Sequence, residues 1–318
     1  MILGIEIGGT KLQLGVGTGD GPPLVALERL DVRPERGAEG IRRQIDEAAR
    51  PLIERYGIAT IGIGFGGPVD SLRGRTIVSN QIEGWRDFPI VAWSEETLGL
   101  PTVLANDSDS AGLAEARFGA GRGHRVVFYN NIGSGIGGAL VVEGRLYQGG
   151  SGVAAEIGHL RPGLSAERPD QDLESIASGW GIAAAVRRRL SEAAADQPSA
   201  DDLVARCGGS LDRLSTKIIA EAARDGNRMA REVLDRACRA IGWALAQMIS
   251  LVAPNVVVMG GGVSLAGEAL FFEPLRRYAR LYVFPPLASA FQIVPARLGE
   301  EMVVYGVLAL AAQARATV

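Results

Sequence analysis

Two glycine-hinged segments carry the first chemical signal of the chain: Gly4-Ile5-Glu6-Ile7-Gly8-Gly9-Thr10-Lys11 and Asn131-Ile132-Gly133-Ser134-Gly135-Ile136-Gly137-Gly138. Each is flanked by strand-forming apolar residues. A strand that ends in Gly-Gly-Thr or Gly-Ser-Gly turns tightly, and without a Cβ its backbone N–H groups can approach phosphate oxygens. The matched pair reads as two phosphate-holding hairpins facing one cleft.

Three further clusters carry functional groups. In Val103-Leu104-Ala105-Asn106-Asp107-Ser108, a short apolar strand delivers an amide and a carboxylate to its end, where ligands sit in open α/β sheets. The same residues equally read as an N-cap for the helix that follows, and Ser108 or Asp109 can cap while Asp107 points into the cleft. Ala155-Glu156-Ile157-Gly158-His159 and Glu174 add two carboxylates and an imidazole, a set suited to gripping vicinal hydroxyls. His159 taken alone reads as structural at least as readily. In Val256-Val257-Val258-Met259-Gly260-Gly261-Gly262, a buried strand runs into three glycines, which let an adenine or ribose lie against backbone or simply connect strand to helix.

These groups need a scaffold. Periodicity predicts strands over 2–7, 12–16 and 25–32, a helix over 37–56, a strand over 60–65, a helix near 90–98 and a strand over 102–105. After a glycine-rich joint at 119–123 come strands at 126–129, 137–142 and 145–147, helices at 173–190 and 200–206, and a long helix over 227–252. A strand at 255–259, a helix around 265–279, a strand at 292–295 and a helix over 301–315 complete the chain. Both halves share a βββαβαβα plan opened by a phosphate hairpin, so the fold class expected is α/β, with two domains around a nucleotide cleft.

Composition narrows the function classes. The chain has 318 residues, 47% of them hydrophobic and 22% charged, which is ordinary globular usage, and a net charge of −3 argues against a nucleic-acid surface. Cys207 and Cys238 are the only cysteines, which fits a reducing compartment and leaves no cysteine-based metal site. The apolar run over 241–253 is too short to span a membrane, and no basic segment precedes Ile2; the expectation is a cytoplasmic protein without membrane attachment.

Taken together, the motifs resemble the ROK group of sugar kinases, repressors and open reading frames, members of the actin-like (ribonuclease H-like) ATPase superfamily. The resemblance covers nearly the whole length. It rests on Glu6-x-Gly8-Gly9-Thr10-Lys11, Gly64-x-Gly66-x-Pro68-Val69-Asp70, Asn80, Asn106-Asp107, Ile132-Gly133-x-Gly135-x-Gly137-Gly138, Glu156-x-Gly158-His159, Glu174 and Gly260-Gly261-Gly262. It implies an ATP-dependent hexose kinase in which Asp107 is the base that takes the proton from the C6 hydroxyl as it attacks the γ-phosphate. Asn106, Glu156, His159 and Glu174 would hold the other hydroxyls, with Gly67 and Asn80 lining the pocket. Gly8, Gly9, Thr10 and Lys11 would cradle phosphates with Gly133, Ser134 and Gly135; Gly261 and Gly262 would face the adenosine. The resemblance also implies Mg²⁺, reached by Glu6 through water, a homodimer, and domains spanning 1–117 plus 302–318 and 118–301.

Two positions depart from the family pattern. The first phosphate motif commonly starts with Asp, and here it starts with Glu6, as in a fructokinase-like branch. Many members follow Glu-x-Gly-His with three cysteines that bind zinc with the histidine; the stretch from Leu160 to Leu173 has none, so no zinc is expected, with Pro162, Pro169 and side-chain hydrogen bonds holding the loop instead. Glucose is the first sugar expected, with fructose, mannose, allose and N-acetylhexosamines as alternatives. A non-catalytic sugar sensor is the reading from a different class. ROK repressors carry a DNA-binding module ahead of the kinase-like core, and with the phosphate hairpin starting at residue 2 none is expected here.

Overall fold

The computed structural model describes residues 1–79, 81–163, 168, 170–192 and 197–317. The chain divides into two compact units: residues 1–129, 139–155 and 296–318, and residues 130–138 with 156–295.

The first sheet is built from β1 (Ile2–Ile7), β2 (Lys11–Gly17), β3 (Ala26–Asp31), β4 (Thr60–Phe65) and, beyond the two-residue strands β5 (Val69–Asp70) and β6 (Arg75–Thr76), β7 (Thr102–Asn106). Its order is β3-β2-β1-β4-β7, with the first three antiparallel and β1, β4 and β7 parallel. β1 and β4 are buried along their full lengths, which is why they read as continuous apolar runs rather than alternating ones. Helix α1 (Gly37–Tyr56) lays Ala38, Ile41, Ile45, Ala48 and Ala49 on the sheet at helical spacing and ends where Gly57 turns left-handed, φ 58°. α2 (Ile90–Leu98) leads into β7, and α3 (Asp107–Arg117) starts at its end.

The second sheet has the order β10-β9-β8-β11-β12, formed by β8 (Val126–Ile132), β9 (Ile136–Val142), β10 (Arg145–Leu146), β11 (Val256–Gly260) and β12 (Gln292–Pro295). Strand for strand this is the order of the first sheet, so the duplicated plan and the mixed α/β class are present as the element sequence implied. Between β10 and β11 the second copy carries extra helices: α4 (Leu173–Ala177), α5 (Gly179–Ser191), α6 (Gln197–Arg206), α7 (Thr216–Arg224) and α8 (Arg228–Val252).

Three elements differ from the periodicity reading. The helix expected over 173–190 is two helices, because Ser178 is extended (ψ 169°) and its hydroxyl accepts from Gly181 N–H to start a new one. α7 was not expected at all. The helix expected around 265–279 is a 3₁₀ turn at Gly262–Ala266, a π turn at Glu268–Phe272 and α9 (Glu273–Tyr282); Gly267 at φ 92° breaks the helical run. The last helix, α10 (Met302–Thr317), packs on α3, β1 and β4. Among the described residues no helix is long and apolar enough to cross a membrane.

Candidate active site

In the first unit the chemistry gathers at the ends of β1, β4 and β7. The hairpin after β1 closes with Gly8 N–H donating to Lys11 O at 3.0 Å, and Gly66 N–H donates to Ile7 O at 2.8 Å, which brings the end of β4 against the first glycine hairpin. Thr10 is exposed at the tip. Gly9 lies under the side chain of Gln81: a Cβ there would fall 1.4 Å from Gln81 Oε1, so a larger residue would push this exposed side chain aside.

Asn106 is the N-cap of α3, accepting from Ser108 N–H at 2.7 Å, while its Nδ2 donates to Gly67 O at 2.8 Å. The cap reading is therefore realised by Asn106 rather than by Ser108 or Asp109. Asp107 is the first residue of α3; Ser108 N–H donates to its Oδ1 at 2.7 Å, and its Oδ2 lies 3.7 Å from the position a Gly66 Cβ would take. The helix macrodipole favours the ionised carboxylate at this end.

Glu6 is buried at 7% exposure and opposes Gln13 on β2. Its Oε2 accepts from Gln13 Nε2 at 2.6 Å and its Oε1 lies 3.6 Å from Lys11 Nζ, which also donates to Glu300 O. Burial pushes the Glu6 carboxyl above its ordinary value; Lys11 and Gln13 pull it down, and the charge of Asp107 pushes it further up. Gln13, fully buried, was missed by sequence reading because a glutamine inside an apolar strand carries no motif.

In the second unit the other hairpin is held from behind. Glu174 Oε2 accepts from Ile136 N–H at 2.6 Å and would be 2.5 Å from a Cβ on Gly135. One oxygen of Glu174 is thus committed to the hairpin. Gly179 N–H, at the start of α5, donates to Gly133 O at 2.8 Å, and Gly261, at φ 85°, passes so close to Ile132 O that a Cβ would sit 2.4 Å away. Gly133, Ser134 and Gly262 line a cavity of about 710 Å³ with Trp180, Thr216 and Lys217. The last three come from α5 and α7 and were not legible in the sequence, since nothing local marks a helix face as a cavity wall.

Glu156 precedes a 3₁₀ turn, Ile157–His159, that packs against β9; a Cβ on Gly158 would fall 2.4 Å from Ile136 O. The Glu156 side chain reaches solvent, yet surrounding protein desolvates it enough to raise its pKa, with His159 lowering and Glu174 raising it. Those three groups are therefore electrostatic neighbours. His159 Nδ1 lies 3.1 Å from Asp172 Oδ2, and Asp172 caps α4 by accepting from Ser175 N–H at 2.9 Å through its other oxygen. Asp172 was also missed. Asn80 and Pro169, singled out from the sequence, lie outside the described residues, and among the described residues no group of three or more His, Cys, Asp or Glu could hold a metal.

Two sheets of matching strand order, each opened by a glycine hairpin, define a protein of the actin-like ATPase fold. The chain belongs to the ROK family, whose sequence model matches residues 2–314. It is 32% identical over 305 residues to the glucokinase of Thermotoga maritima, covering 96% of this chain and 95% of that protein. The crystal structure of a ROK family glucokinase from Streptomyces griseus in complex with glucose and AMPPNP is similar with a TM-score of 0.80 at 33% identity, covering 98% and 99% of the two chains. The ROK hexokinase of Thermus thermophilus gives 0.81 at 29% identity, covering 100% and 99%.

Proposed function

We propose that this chain phosphorylates the 6-hydroxyl of glucose from ATP, with Asp107 as the general base. Its class, an ATP-dependent sugar kinase, follows from the family and from the glucokinases it resembles. The observation that carries the finer reading is the placing of Asp107: an acid on the first turn of α3, at the end of β7, beside Gly66 and close enough to Glu6 to raise its pKa.

Phosphoryl transfer asks the protein mostly to align the nucleophile and offset charge on the transferring group. Ser108 N–H fixes the plane of the Asp107 carboxylate, so the oxygen that takes the hydroxyl proton is oriented before the sugar arrives. Asn106, with both ends engaged, holds Gly67 and the α3 cap in register, so its contact to the sugar would use the second Nδ2 hydrogen or the remaining lone pair on Oδ1. Glu156, His159 and Glu174, with Asn80, would take the other ring hydroxyls.

The N–H groups of Gly8, Gly9 and Thr10, with Lys11, and of Gly133, Ser134 and Gly135 would bind phosphate. The cavity beside Gly261 and Gly262 is of a size for adenosine. Mg²⁺ suits the carboxylates present, since it keeps most of its waters and uses one or two acidic side chains beside nucleotide phosphates. Glu6 would supply such an acid through a bound water, leaving Asp107 for the proton; when bound with ATP the ion would offset phosphate charge.

The test is ADP release from Mg–ATP against glucose, fructose, mannose, allose, N-acetylglucosamine and N-acetylmannosamine. Release that rises with glucose above the other sugars is expected. A different preferred sugar corrects the substrate, and no stimulation by any sugar in a folded, ATP-binding protein would favour a sensor.

A further inference from the structure

A second cavity, of about 770 Å³, lies in the first unit and shares no residue with the proposed sugar, phosphate or adenosine groups. It is bounded by edge strand β7, the C-terminal ends of α3 and α10, the turn at 71–74 and the hairpin joining β9 to β10. Its volume is in the range of small-molecule sites. Three arginines, Arg73, Arg117 and Arg145, line it against a single carboxylate, Glu143.

The charges do not cancel within the wall. Glu143 is already paired with Arg125 Nε at 3.0 Å, and Arg73 sits 3.6 Å from Asp70. Arg117, in the last turn of α3, has its Nη1 buried with no hydrogen-bond partner among the described residues, and its guanidinium lies 5.3 Å from the centroid of the Phe118 ring. Among the described residues Arg145 makes no hydrogen bond or ion pair and reaches solvent. A buried guanidinium nitrogen without a partner is costly, and the cost is relieved when an anion supplies the missing acceptor.

The walls are tied rather than loose. Gln148 Nε2 donates to Ser71 Oγ at 3.0 Å, joining the β10 side to the turn at 71–74, and Gln313 Nε2 donates to Gly144 O at 2.7 Å, joining α10 to the hairpin. Leu104 and Leu310 supply apolar surface beside the arginines. Planar guanidinium groups match the oxygens of a phosphate in pairs, and the leucines suit a small carbon skeleton attached to it.

We propose that this cavity is a binding site for a small phosphomonoester, held by Arg117 and Arg145 and separate from the kinase chemistry. The proposal stands whether or not the sugar-kinase reading is right, because its test is binding rather than turnover.

Glycerol 3-phosphate, too small to stand in for a hexose, is titrated calorimetrically into the full chain, with inorganic phosphate alongside. One molar equivalent of glycerol 3-phosphate is expected to bind, and Arg145→Gln and Arg117→Met are each expected to weaken it at least about tenfold, the scale of one charge-assisted hydrogen bond. Turnover and KM for ATP should stay within about twofold in Arg145→Gln, whose side chain is on the surface. Arg117→Met should raise Tm in the absence of anion and abolish the Tm rise that glycerol 3-phosphate gives the wild type, since a buried nitrogen without an acceptor has been removed. Inorganic phosphate binding with the same sensitivity to both variants would support the phosphate as the recognised group. No binding to the wild type, or binding untouched by Arg145→Gln, overturns the proposal. A lower Tm in Arg117→Met would instead assign the guanidinium to the fold.

Discussion

At the residue scale the first phosphate motif is more than a turn. Glu6 is buried, hydrogen-bonded to Gln13 and near Lys11, and burial raises its pKa. A folded-state carboxyl with a raised pKa holds its proton more tightly than the unfolded chain does. Its contribution to stability is therefore fully present below the unfolded pKa and is lost as pH rises through the folded one. The difference in unfolding free energy between wild type and Glu6→Gln should fall as pH rises above the ordinary glutamate value, so that the variant gains relative to wild type. Denaturant melts at several pH values check this, and a difference that grew with pH would contradict it. Asp107→Asn keeps the size of the side chain and removes the proposed base; if the proposal holds, kcat should fall at least about 10²-fold while glucose affinity stays within a few-fold. Near-normal turnover would remove Asp107 from the reaction.

At the scale of elements, the placing of Asp107 depends on how closely α3 and α10 approach. A Cβ on Gly306 of α10 would lie 1.8 Å from Ser110 O of α3, a backbone atom that cannot swing away. Gly62 and Gly64 on β4 likewise leave room for α10, with hypothetical Cβ positions 2.4 Å from Val307 O and 2.5 Å from a Val303 methyl. Gly306→Ala should cost at least about 2 kcal/mol of unfolding free energy and lower activity through α3, as overpacking against rigid backbone does. Gly150→Ala, with nothing within 4 Å of its Cβ, should stay within about 0.5 kcal/mol. Equal melting of the two variants would show that α10 accommodates the methyl.

At the scale of the molecule, the ligand inventory decides the metal question. The whole chain has two cysteines and two histidines, and Cys207 and Cys238 are both buried, in the turn that ends α6 and within α8. Tetrahedral zinc needs four N, S or O donors at one place, and His159 has Asp172 as its partner. Metal analysis of purified protein should find no molar equivalent of zinc, and a chelator should leave Tm unchanged. Stoichiometric zinc would mean that residues outside the described set complete a site.

The sequence by itself determined the class of this protein, because the signals involved are local. A strand that ends in glycines, a carboxylate at a strand end, a helical stripe of apolar residues and the repetition of one element order all depend on near neighbours in the chain. They put Glu6, Asp107, the two hairpins and most elements in view, and they carried the family. Tertiary structure alone decided what those groups meet. Gln13 against Glu6, Asp172 against His159, Glu174 on the second hairpin and Trp180 in one cavity wall with Gly262 are set by how strands, turns and helices pack, with no periodicity or motif to announce them. The break at Ser178 and the helix at Thr216–Arg224 were hidden for a related reason, since capping and packing overrule weak propensity in short helices. The buried Nη1 of Arg117 belongs to the same kind, because only the assembled wall shows that it has no hydrogen-bond partner among the described residues.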